Sequence, residues 1–102
     1  WQAQLHLGDC KARLCMYGEA VGHYERALKL QPRPRYTDAL RSIALIRAIE
    51  RDWAGAARAL DGVLKLLADE WGVSSGTAYD ALVRERDRYD ALARGAGGAQ
   101  DG

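Results

Sequence analysis

Apolar residues recur along this chain at intervals of three and four, the spacing that gathers side chains on one side of an α-helix. In the first segment Trp1, Leu5, Gly8, Ala12 and Cys15 follow one stripe, with Leu7 and Leu14 beside it. A second helix is predicted from about Tyr17 to Leu30, its apolar face formed by Ala20, Val21, Tyr24, Ala27, Leu28 and Leu30. Pro32 and Pro34 end it, because proline cannot continue the hydrogen-bonded ladder and restrains the residue before it. Thr37 is placed to cap a third helix running to about Arg51; it is apolar nearly all round, which predicts the most buried helix of the set. After the turn Glu50-Arg51-Asp52 a fourth helix runs from Trp53 to about Ala68. Gly72 and the triplet Ser74-Ser75-Gly76 break the chain again. A fifth helix, roughly Thr77 to Arg94, carries Tyr79, Leu82, Val83, Arg86, Tyr89 and Leu92. The glycine-rich tail, 95–102, has almost nothing to bury and is expected to be disordered. Strand alternation is absent, so the chain reads as all-α.

The helices repeat. Tyr17 aligns with Trp53, Ala20 with Ala56, Leu28 with Leu64, Lys29 with Lys65 and Leu30 with Leu66, each pair 36 residues apart. Extended backwards, the same offset pairs Leu7 with Ile43 and Gly8 with Ala44. A fixed period in this range is the mark of stacked helix pairs.

Within the first pair, Leu7-Gly8, Tyr17, Ala20, Tyr24, Ala27 and Pro32 stand at a spacing that resembles the tetratricopeptide repeat, a unit of roughly 34 residues. The residue types suit that packing. Gly8 and Ala20 would sit where two antiparallel helices cross closest, Tyr24 would fill the space that opens beyond, and Pro32 would stop the second helix. The match is imperfect: Gln4 and Lys11 stand where the family has aromatics, and in the second unit Leu60, Val63 and Ala68 replace an aromatic, a small residue and the proline. The resemblance covers about residues 1–70. It implies antiparallel helix-hairpin repeats stacked as a short right-handed α-solenoid over 1–94, with repeat one at about 1–34, repeat two at about 37–70 and a C-terminal helix at about 75–94. The last helix would be a cap or the first helix of a third unit.

The resemblance also implies a concave groove lined by the first helix of each pair, holding a protein or peptide segment. Transferred here, the groove-facing residues are Gln2, Leu5, His6, Asp9 and Arg13, then Arg41, Ser42, Leu45, Ala48 and Ile49. Apolar positions flanked by arginines suit an amphipathic or acidic partner; the competing expectation is that the fifth helix folds over Leu5, Leu45 and Ile49. The family subgroup that grips chaperone C-terminal carboxylates is not matched, since Leu5, Asp9 and Ser42 occupy the places of its lysine and asparagines.

Composition narrows the partner class. With 15 basic and 14 acidic residues and a net charge of +1 in 102 residues, nothing favours nucleic acid or an anionic membrane. No apolar run is long enough for a membrane span. Cys10 and Cys15 point different ways on one predicted helix, so they read as two reduced, small core residues of an intracellular protein, expected to be cytoplasmic with a nuclear location as the alternative. The chain opens at Trp1 without a methionine and is read as a segment of a longer polypeptide. His6 and His23 lack metal-ligand spacing, no phosphate loop follows a strand, and no nucleophile stands beside a base, so neither enzyme nor cofactor is expected. Asp69-Glu70 reads as a solvated turn, Trp53 as a core aromatic, and Trp71 as packed locally at the junction with the fifth helix, an interface being the alternative. The expected role is protein–protein interaction within a scaffold. The rivals are a homodimer formed through Trp1, Leu5 and Leu7, and a regulatory helical domain of a transcription factor or signalling protein.

Overall fold

Turn chemistry and proline set the helix ends in the computed structural model of the chain. Among the described residues it contains five α-helices and no strand: α1 (Gln2–Arg13), α2 (Tyr17–Leu30), α3 (Asp38–Ile49), α4 (Trp53–Trp71) and α5 (Thr77–Asp101). The structure describes residues 1–101, of which 96–101 enter only through the backbone of α5. The disordered tail expected over 95–102 thus rests mostly on residues outside those described in full.

Each helix packs against the next in sequence. The molecule is thin, 46 × 35 × 18 Å, and its short axis accommodates about two helix diameters. Small residues govern the closest approaches. Ala20, Ala27, Ala39 and Ala56 have no exposed surface, and Val63 is fully enclosed. Gly8 is buried directly under the Tyr24 ring, where a Cβ would stand only 2.7 Å from Cε1 of that ring.

The two hairpin turns are copies of one another. In the first, the Cys15 amide donates to Ala12 O and that of Met16 to Lys11 O. In the second, Arg51 donates to Ala48 O and Asp52 to Arg47 O. All four groups are displaced by the same 36 residues that relate the apolar anchors. Cys15 and Arg51 both adopt the left-handed conformation, with φ of 59° and 60°. This is the Schellman pattern, which glycine normally occupies because a Cβ is crowded there. The helix that follows the second turn is capped by Asp52, whose carboxylate accepts from the Gly55 amide at 3.0 Å.

The hairpins meet at a polar and aromatic junction. Arg35 holds Glu70 with its guanidinium, at 2.6 Å from Nη2 to Oε2, and with its backbone amide at 2.9 Å. The Trp71 indole donates to Arg35 O at 2.6 Å. Trp1, Tyr36 and Trp71 follow one another along this edge with ring centroids 5.9 Å apart. Glu70 is therefore no solvated turn residue: only 5% of its side chain is exposed, and the Arg35 hydrogen bonds hold its pKa down at about 2. Trp71 packs on the loop between α2 and α3, and α4 runs three residues past the expected end at Ala68.

Three further expectations are corrected. Cys10 and Cys15 are exposed free thiols and not core residues, Cys15 because it occupies the turn. Leu30, placed on the apolar face of α2, is 61% exposed at its end. The most buried helix is α4 and not α3, because Leu45 and Ile49 of α3 remain largely open.

Candidate functional site

The open side of α3 belongs to a groove whose other walls are α1 and α5. Leu5 and Asp9 of α1, Arg41, Ser42 and Leu45 of α3, and Leu82 and Glu85 of α5 line a cavity of about 460 Å³ floored by Ala44 and Leu60. Five of the ten groove positions expected from sequence meet in it. They do so because each set lies on one helix face: Leu5 and Asp9 are one turn apart on α1, as are Arg41 and Leu45 on α3.

The remaining five fall elsewhere. Gln2 and His6 line a neighbouring open depression of about 670 Å³ with Trp1, Tyr36 and Asp38. Ile49 is 52% exposed, one helical turn beyond Leu45, and Ala48 beside it is half-buried; neither lines the groove. Arg13 is exposed at the C-terminal end of α1.

Inside the groove, Asp9 is fixed by the core. Its Oδ1 accepts from the Tyr24 hydroxyl at 2.5 Å. Burial pushes the Tyr24 pKa up to about 12, and donation to Asp9 adds to that; the Ser42 hydroxyl and the Arg13 charge act in the opposite direction. Tyr24 thus ties α2 to the groove-facing surface of α1.

Helix α5 forms a wall and does not fill the space. It is held on α4 by the stacked rings of Trp53 and Tyr89, 5.9 Å apart at 14°, and by Arg86, whose guanidinium donates to Asp61 at 2.7 Å. Its contributions Leu82 and Glu85 were outside the residues expected from sequence, although the Leu82/Tyr89 stripe marks the face that packs. Leu45 stays 61% exposed beside it.

The charge of the groove also differs from expectation. Asp9, Asp38 and Glu85 face a single cation, Arg41, so carboxylates predominate. A different cleft, of about 400 Å³ between α2, α3 and α4, carries the cations: Lys29, Arg35, Arg47 and Arg58 against Glu25 alone.

Among the described residues no group of three or more His, Cys, Asp or Glu side chains is placed to hold a metal. Among the same residues no helix is long and apolar enough to cross a membrane. Compared with known proteins, the chain matches no family model, no curated protein and no solved structure.

Proposed function

We propose that this chain is a tetratricopeptide-like module, a short right-handed solenoid of two helix hairpins and a further helix, that binds a partner protein segment in the groove between α1, α3 and α5. The carrying observation is the exposed apolar surface of α3: Leu45 is 61% exposed beside a cavity with Leu5 and Leu82. Large apolar side chains left open inside a concavity mark a surface completed by a partner. The repeated turns support the family resemblance, since two hairpins with the same hydrogen bonds 36 residues apart are what a tandem helical repeat requires.

The segment suited to this groove is amphipathic. Its apolar residues would lie over Leu5, Leu45 and Leu82, with polar or basic groups meeting Asp9, Asp38 and Glu85. An acidic segment would meet three like charges there, so the acidic partner considered from the sequence fits this groove poorly.

The test is selection of peptides from a random displayed library on the whole chain. Selected peptides should lose binding to the Leu45→Lys/Glu85→Lys double variant, which puts cations on the apolar and acidic lining, while its helical circular dichroism is unchanged. Peptides that ignore both substitutions would place the interaction surface elsewhere. Light scattering across a wide concentration range addresses the homodimer alternative: a mass that stays near 11.2 kDa leaves the groove for a foreign partner.

A further inference from the structure

On the other side of α3 from the groove, the cleft between α2, α3 and α4 combines an apolar floor with a cationic rim. We infer that it is a second, separate binding site, whose ligand is an acidic amphipathic helical segment of a partner protein.

The floor is made by Val21 and Leu28 of α2 with Leu40 and Ile43 of α3. Val21 and Ile43 belong to the buried core, whereas Leu28 and Leu40 are only partly covered. Val21 and Leu28 are seven residues apart in one helix, about 10 Å along its axis. A partner helix presenting apolar residues at i, i+3, i+4 and i+7 offers a matching strip over two turns.

The rim selects the charge of that partner. Four cations, Lys29, Arg35, Arg47 and Arg58, face the cleft, and Glu25 is the one carboxylate lining it. They are not equivalent. Arg35 is engaged by Glu70 at 2.6 Å. Arg47 reaches Glu50 only at 3.4 Å, with both side chains more than a third exposed, a contact too weak to hold it. Lys29 and Arg58 are exposed and make no salt bridge among the described residues. Those two, with Arg47 recruited from Glu50, form the electrostatic contact for an incoming acidic helix. A free phosphate or other small anion would leave the apolar floor unused, which is why a peptide is the better fit.

The probe is a fluorescein-labelled peptide of about two heptads, leucine at the apolar positions and glutamate at most others. Its binding to the whole chain is followed by anisotropy. The wild-type chain is expected to bind it saturably, with affinity falling as salt is raised. Lys29→Glu/Arg58→Glu should weaken binding about tenfold or more, while Arg41→Glu/Leu45→Glu in the groove should leave it within about twofold. A peptide of identical composition with its leucines scattered should bind about tenfold more weakly. Should the first double variant lose its helical circular dichroism, Lys29→Gln/Arg58→Gln replaces it.

Three results would overturn the inference: no saturable binding, equal binding by the scattered peptide, or loss of binding only in the groove variant. The last would assign the peptide to the groove. Because the groove proposal is tested by its own variant and selected peptides, either site can fail without the other.

Discussion

Replacing Gly8 with alanine sets helix propensity against packing, and the geometry decides which wins. In a helix interior alanine is favoured over glycine by about 1 kcal/mol. Here the added Cβ would stand 2.7, 2.8 and 3.0 Å from Cε1, Cδ1 and Cζ of Tyr24. Carbon atoms pack best at about 3.5–4.0 Å, so the ring would have to retreat by about 1 Å. It has little freedom to do so: Tyr24 is 2% exposed, and its hydroxyl is held by Asp9, the neighbour of Gly8. Overfilling a packed core costs about 1–3 kcal/mol, and weakening a hydrogen bond to a carboxylate forfeits part of a further ~1.5–3 kcal/mol. Against the propensity gain, the expected net loss is about 2 kcal/mol. At about 4–8 °C per kcal/mol for a chain of this size, the thermal midpoint should fall by about 10 °C, read by far-ultraviolet circular dichroism. In a Tyr24→Leu background the same substitution should be neutral or stabilising, by up to about 1 kcal/mol, because the obstructing ring is gone. A midpoint unchanged or raised in the wild-type background would refute the close helix crossing. An equal loss in both backgrounds would clear Tyr24 as its cause.

Protonation and turn geometry yield further expectations. Glu70 has its pKa lowered from 4.5 to about 2, so the stability it contributes is present above pH 4.5 and disappears as pH falls towards 2; Glu70→Gln should flatten the dependence of the thermal midpoint over that window, and parallel profiles would show that the Arg35 pair is unimportant. Tyr24 shifts the opposite way, from 10 to about 12, so its contribution is complete below pH 10 and is lost as pH rises through 12. Tyr24→Phe should remove that alkaline component from thermal scans, and a wild-type-like alkaline decline in the variant would refute the assignment. Cys15→Gly and Arg51→Gly should each add about 0.5–1 kcal/mol in urea titrations, since relief of a left-handed non-glycine residue, about 1–2 kcal/mol, exceeds the extra chain entropy of glycine. A loss in either variant would mean that the left-handed turns are not the native ones.

Local chemistry was the legible part. The bounds of α2, from Tyr17 to Leu30, follow from its periodicity and the prolines behind it, and Glu50-Arg51-Asp52 was legible as the turn before α4, although its capping aspartate was not. The turn between α1 and α2 carries neither glycine nor proline. Cys15 takes a conformation that its side chain disfavours, held by hydrogen bonds to Ala12 and Lys11 that form as the hairpin closes. The extension of α4 through Trp71 likewise rests on Arg35 and Tyr36, an entire repeat away in sequence. Five groove residues could be found because each cluster sits on a single helix face. Leu82, Glu85 and the cationic cleft could not, since they exist only once three helices are set side by side.

That limit bears most on charge. A net charge of +1 suggests a surface without preference, yet the average conceals a division across α3. On its groove side Asp9, Asp38 and Glu85 outnumber Arg41; on its other side Lys29, Arg35, Arg47 and Arg58 outnumber Glu25. The apolar character of α3 has the same origin. A helix that is apolar nearly all round is ordinarily a buried one, but here Ala39, Ile43 and Ile46 are buried in the core while Leu45 and Ile49 stay open. If both proposed sites are real, two surfaces of opposite sign meeting on one helix would let a short chain hold two chemically different segments at once. Each would be selected by the carboxylates or cations that flank its apolar floor, not by the overall charge of the molecule.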